Sequence, residues 1–182
     1  MTTIGVEKGK VRIEDYNPQW QAQFLQEQKY LSRVLSIPQD NILHIGSTSI
    51  SNCKSKPIID IAIAFDKLTD SSKHQVIISK TEYGLHNVYY MNDRICYTKG
   101  SPQTHHLYFV LKDSVTFLNW IIFKKVLNEN PIFVNEYNEL KIKLVEQYSN
   151  NRITYTEQKS DFIFSILNPQ QEWKEKILSM RS

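Results

Sequence analysis

What this chain lacks narrows it first. It has only two cysteines, Cys53 and Cys96, and they form no metal-ligand spacing. In a reducing compartment they are expected as free thiols. No apolar run approaches the roughly 20 residues that span a bilayer. The opening MTTIGVEKGK holds no apolar core of a signal peptide. These absences give the expectation of a cytoplasmic protein without a membrane partner. Charge of one sign is also lacking: the net charge of +3 is too mild to argue for nucleic acid as an obligate partner. No internal repeat, linker or low-complexity run breaks the chain. What remains is 41% hydrophobic and 23% charged over 182 residues, ordinary for one folded domain with a real core.

The most informative stretch runs from Leu43 to Phe65, LHIGSTSISNCKSKPIIDIAIAF. An apolar run, Ile42 to Ile45, stops at Gly46, and three small hydroxyl residues, Ser47, Thr48 and Ser49, follow. A lysine-bearing segment leads through Lys56-Pro57 to a second apolar run, Ile58 to Phe65, broken by Asp60. That grammar is strand, glycine turn, short helix, strand. Gly46 lets the backbone approach a ligand closely, and backbone N–H groups and hydroxyls after such a turn can hold an anion. A carboxylate inside Ile-Ile-Asp-Ile-Ala-Ile is costly to bury unless paired or bound to a cation. Two readings are open on these residues alone. Asp60 either holds a divalent cation, magnesium for preference, or pairs with Lys54, Lys56 or a backbone cap.

The rest of the chain supplies the frame. Residues 1–10 read as a polar tail and Val11 to Ile13 as a short edge strand. Asn17-Pro18 starts a helix whose apolar stripe is Trp20, Phe24, Leu31, Val34 and Leu35, and Pro38 stops it. A helix over 71–80 buries Val76 and Ile77. Strands are expected over 85–91, 94–98 and 104–111, with turns at Asn92-Asp93 and Lys99–Pro102 that favour antiparallel pairing. Helices follow over 114–128, carrying Phe117, Trp120, Ile121, Phe123 and Leu127, and from Asn130-Pro131 to about Ser149. A third opens at a capping box, Thr154-x-x-Glu157, and a short one starts at Asn168-Pro169. The fold class is α+β in a single domain over 1–182: a small mixed sheet flanked by helices, with a helical part over 113–182.

HIGSTS followed by KPIID resembles the signature of the GrpB family of small bacterial proteins. That family is similar to the nucleotidyltransferase superfamily, with its Gly-Ser, short helix and acid-bearing strand. Asn17-Pro18-x-Trp20 with Phe24, Arg94 and Lys99, His106-Leu107, Tyr137 with Leu140-Lys141, and Tyr155 with Lys159 extend the resemblance over nearly the whole chain. It implies a nucleotidyltransferase-like fold and a magnesium-dependent transfer of a nucleoside monophosphate from a nucleoside triphosphate to an unidentified acceptor. A non-catalytic nucleotide-binding module is the alternative. GrpB-like domains occur fused to a dephospho-coenzyme A kinase, so a partner role near coenzyme A metabolism is a third.

The implied roles are specific. Asp60 holds the metal, and His106 joins it there or acts as an acid–base partner. Gly46, Ser47, Thr48, Lys56, Arg94, Tyr137, Lys141, Tyr155 and Lys159 hold the nucleotide. Tyr137/Lys141 and Tyr155/Lys159 are i,i+4 pairs, each sharing a helix face, with tyrosine to stack the base and lysine to meet phosphate. Lys99 faces the pocket with Arg94. Three departures from the pattern stand out. Ala62 occupies the place of a second metal-binding acid, Tyr108 that of a second histidine, and Lys124-Lys125 that of an Arg-Asp pair. His44 and His106 each have a bland reading as hydrogen-bonded core-edge residues, and His74 and His86 read as surface.

Overall fold

The computed structural model describes residues 4–86 and 92–170. Among these residues five strands form one mixed sheet: β1 (Ile42–Ile45), β2 (Ile59–Phe65), β3 (Tyr83–Leu85), β4 (Arg94–Lys99) and β5 (His105–Leu111), in the order β1-β2-β5-β4-β3. β2 and β5 run parallel at the centre, and every other pairing is antiparallel. Among the described residues six α-helices accompany them: α1 (Gln19–Leu35), α2 (Ser72–Ile78), α3 (Val115–Glu129), α4 (Pro131–Tyr148), α5 (Arg152–Glu157) and α6 (Ser160–Leu167). This is the expected α+β architecture. Among the described residues no helix is long and apolar enough to cross a membrane.

Strand side chains alternate between faces, and here the alternation sorts apolar from polar. Ile59, Ile61 and Ile63 of β2 join Leu107 and Phe109 of β5 in a core that also takes Trp20, Phe24, Leu31 and Leu35 from α1. On the opposite face β2 carries Asp60 and Ala62, and β5 carries His106, Tyr108 and Val110. Ala62 and Val110 pack there against Ile45 and Phe117. That second face is the one covered by α3 and the later helices.

Several local expectations need correction. The amino-terminal segment is no free tail from residue 4 onward: Val6 is buried and bridges to Gln103, and the Gly5 N–H donates to the Pro57 carbonyl. Val11 to Ile13 forms no strand; the Val11 N–H donates to the Ser149 carbonyl at the end of α4. On α2 the buried residues are His74 and Ile78, while Val76 is exposed, so the helix is rotated from the expected phase. The predicted strand over 85–91 is observed as Tyr83–Leu85, with 87–91 outside the described residues. Thr154 lies inside α5; Asn151 caps that helix by accepting the Thr154 N–H, and no capping box is needed. α3 and α4 start as expected, α3 with Ser114 accepting the Phe117 N–H and α4 with Pro131 in its first turn. The start expected at Asn168-Pro169 is seen as a 3-10 turn over Asn168–Gln170, and its continuation lies outside the described residues.

Ile61 is fully buried at the centre of the α1-facing core. Ile61→Ala is expected to cost about 2–5 kcal/mol, read as a lower urea midpoint with an unchanged slope.

Candidate functional site

The β1–β2 hairpin and the parallel β2–β5 pair build the site. Register sets Ile45 opposite Asp60 and Asp60 opposite His106. Asp60 and His106 therefore project from neighbouring strands on the helix-covered face, and Asp60 Oδ1 lies 2.7 Å from His106 Nδ1. The other ring nitrogen, His106 Nε2, lies 3.0 Å from an Nη of Arg152 at the start of α5. Guanidinium only donates, so Nε2 accepts and Nδ1–H donates to Asp60. Arg152 also donates to Gln103 Oε1 at 2.7 Å. The result is a continuous relay, Gln103–Arg152–His106–Asp60.

Asp60 is held charged. Burial alone would raise its pKa. The hydrogen bond from His106 and the charges of Lys56 and Arg152 outweigh burial and hold the carboxyl below the ordinary range. Gly46 approaches the same carboxylate from β1. Its φ of +70° is left-handed, and a Cβ built there would lie 2.5 Å from Asp60 Oδ2. Glycine is needed on both counts.

A cavity of about 460 Å³ opens over this face, and every residue proposed above for the site except Lys99 lines it: Gly46, Ser47, Thr48, Lys56, Asp60, Arg94, His106, Tyr137, Lys141, Tyr155 and Lys159. A second cavity of about 490 Å³, around Asp40, Asp66, Asp70 and His74, includes none of them. The first cavity also gathers Arg152, Trp120 and Asn119, which sequence reasoning missed. A lone arginine at a helix start carries no signal that it turns inward.

Lining a cavity is not the same as facing a ligand. The Thr48 hydroxyl is committed to His44 Nε2, 3.1 Å away, and to the Ile58 carbonyl, 3.2 Å away. His44 stacks on Phe24, with Gln21 at its other nitrogen, and burial drives its pKa down to about 3. His44 and Thr48 thus brace the turn. Ser47 hydrogen-bonds with the Tyr137 phenol. Tyr137 and Tyr155 are only 2% and 1% exposed. Tyr137 stacks on Phe162 and carries the Lys141 ammonium 4.2 Å from its ring centre. Tyr155 has Lys56 and Lys159 at 5.7 and 4.7 Å. With their surfaces already covered, neither tyrosine is placed to stack a base, which corrects that expectation. Lys141 is likewise buried, donating to Cys53 Sγ at 2.9 Å and to the Lys54 carbonyl.

Other residues leave the site. Lys99 projects to the α1 side, paired with Glu27 at 3.0 Å. His74 is buried rather than on the surface, and His86 lines the cavity. Lys124 donates to the His44 carbonyl and Lys125 pairs with Glu129 at 2.5 Å, so neither adds charge to the cavity wall. Arg94 is tied to Asp93 at 3.0 Å and to Thr116 at 2.7 Å.

Cations crowd the Asp60 end. Burial lowers the pKa of Lys56 well below its ordinary value, and the charges of Lys159 and Arg152 lower it further. Burial brings Lys159 down to about 8, helped by Lys141 and Arg152. Against these groups stands one carboxylate. Magnesium asks for about six oxygen ligands, and Asp60 Oδ1 already accepts from His106. Ala62 is fully buried among Ile45, Val110 and Phe117, with no second acid in its place. Both His106 nitrogens are engaged. Among the described residues no cluster of three or more His, Cys, Asp or Glu side chains could hold a metal. These donors do not make a resident magnesium site.

The chain matches the family described as GrpB protein over residues 10–169. It belongs to the GrpB family. A GrpB-family relative, the glutamate-rich protein GrpB of Alkalihalophilus pseudofirmus, is 30% identical over 91% of this chain and 98% of its own. The crystal structure of conserved protein GrpB from Enterococcus faecalis superposes with a TM-score of 0.77 at 27% identity, covering 92% of this chain and 99% of that one. More distantly, the Cid1 poly(U) polymerase, in a structure with MgATP bound, reaches a TM-score of 0.52 at 8% identity, over 74% of this chain and 44% of that one. The sheet and its flanking helices thus share their overall fold with part of that polymerase.

Two glycines separate the sources of strain at Gly46. Gly9 has a φ of +84° and open space, with nothing within 4 Å of where a Cβ would stand, while at Gly46 the added atom meets Asp60. Gly9→Ala is expected to cost about 1–2 kcal/mol for its backbone alone. Gly46→Ala should cost measurably more, since Asp60 must also shift from His106. Urea unfolding of both variants checks the difference.

Proposed function

We propose that this protein binds the phosphate chain of a nucleoside triphosphate or similar polyphosphate in the cavity over Asp60, as a binding module. The observation that supports this is the charge arrangement: Lys56, Arg152 and Lys159 converge on one cavity with Asp60 as the facing carboxylate. Burial first, and crowding among the cations after it, depress the lysine pKa values. An anion entering between them relieves that repulsion and gains charge-assisted hydrogen bonds. Asp60 keeps the basic groups in place when no ligand is bound. Magnesium, on this reading, arrives with the phosphates rather than on a preformed protein site.

A second reading, transfer of the nucleoside monophosphate to an acceptor, has one specific support. Asp60 sits against the glycine turn on a sheet of nucleotidyltransferase architecture. The buried Ala62 counts against it. Release of pyrophosphate from any of the four common nucleoside triphosphates, with magnesium or manganese and a panel of hydroxyl and amine acceptors, would favour it.

Calorimetric titration of the full chain with tripolyphosphate and with ATP tests the binding reading. Both are expected to bind, adenosine alone far more weakly, and Lys159→Met or Lys56→Met should each weaken polyphosphate binding about tenfold. No binding of any polyphosphate at millimolar concentration overturns the proposal. The pH dependence has a fixed sign. A bound anion raises the Lys159 pKa above its free value of about 8, so binding takes up protons above that pH. Affinity is expected to fall as the pH rises above 8.

Asp60→Asn separates the roles of the carboxylate. If it only compensates the charge of the cations, removing its own charge leaves or strengthens metal-free binding. If it receives ligand-borne magnesium, the variant loses the gain that magnesium gives the wild type.

A further inference from the structure

The cavity has a second half that the phosphate reading does not use. From His106 it continues along β5 to Tyr108, with ring centres 6.2 Å apart. Trp120 of α3 follows, 5.0 Å from Tyr108, and the Arg94 guanidinium lies 5.8 Å over Trp120. α3 presents Thr116, Asn119, Trp120 and Phe123 to this space. Their spacing of i, i+3, i+4 and i+7 is one helix face. The Trp120 side of α3 is only half-buried, unlike Tyr137 and Tyr155. Asn119 Oδ1 is buried and has no hydrogen-bond partner among the described residues. A buried acceptor left unsatisfied is costly and calls for a donor.

We propose that this half takes the base of the nucleotide: a planar heterocycle with an exocyclic amine, stacked on Trp120 and donating to Asn119 Oδ1. The proposal rests on the reading that the basic half holds the phosphates, and it narrows the ligand to nucleotides whose base carries an exocyclic amine, adenine, cytosine or guanine, against uracil and hypoxanthine. An indole offers a flat π surface for the ring. The amine supplies the donor that Asn119 lacks. Arg94, already paired with Asp93 and Thr116, backs the indole and does not compete for phosphate.

The test is calorimetric titration of the full chain with tripolyphosphate, ATP, inosine triphosphate, CTP and UTP. ATP and CTP are expected to bind about tenfold more tightly than inosine triphosphate and UTP, whose carbonyls replace the amine, and more tightly again than tripolyphosphate. Trp120→Leu should bring ATP down to the affinity of tripolyphosphate. Asn119→Ala should erase the preference for ATP over inosine triphosphate. Both variants should bind tripolyphosphate as the wild type does, which also reports that they are folded. Equal binding of tripolyphosphate and all four nucleotides overturns the base site and leaves the polyphosphate reading standing. Equal binding of ATP and inosine triphosphate overturns the amine contact. Failure of tripolyphosphate and nucleotides alike to bind overturns both proposals.

Discussion

The contact between Asp60 and His106 is the constraint around which this molecule is arranged. It exists because two central strands run parallel in a register that sets the residues side by side. A carboxylate in a half-buried setting would ordinarily tend to take up a proton. Here the imidazole, Lys56 and Arg152 keep it ionised. Its charge in turn makes it tolerable for three basic side chains to meet at one place. A neutral group at position 60 would leave Lys56, Arg152 and Lys159 facing one another without compensation.

The carboxy-terminal helices do more than cover the sheet. α4 sends Tyr137 and Lys141 down to the segment after the glycine turn, where Ser47, Cys53 and the Lys54 carbonyl receive them. α5 sends Arg152 to His106 and Gln103, and Gln103 bridges to Val6 near the start of the chain. The turn, the central strands and the chain's first described residues are thus joined through polar contacts in or beside the cavity. A buried lysine satisfied by a thiol, a carbonyl and an aromatic face fixes geometry more than it adds stability.

Much of this was legible in the residues themselves. The period-two alternation of β2, with one acid among isoleucines, announced a two-faced strand with a polar contact, and the glycine before three hydroxyl residues announced a tight approach. What stayed hidden was direction. The i,i+4 spacing of Tyr137 and Lys141 shows that they share a helix face, but not that the face packs inward against Phe162. α2 has seven residues, too few for its stripe to fix a phase, so Val76 and His74 exchanged roles. Arg152 looked like any solvated arginine, because its partners lie 46 and 49 residues away in sequence. Long-range pairing of that kind leaves no local periodicity to read.

The two faces of the sheet carry different obligations. Ile59, Ile61, Ile63, Leu107 and Phe109 answer only to the helix packed on them, whereas Asp60, His106 and Tyr108 answer to whatever occupies the space above. Since neighbours along a strand belong to opposite faces, substitutions can accumulate on one without disturbing the other.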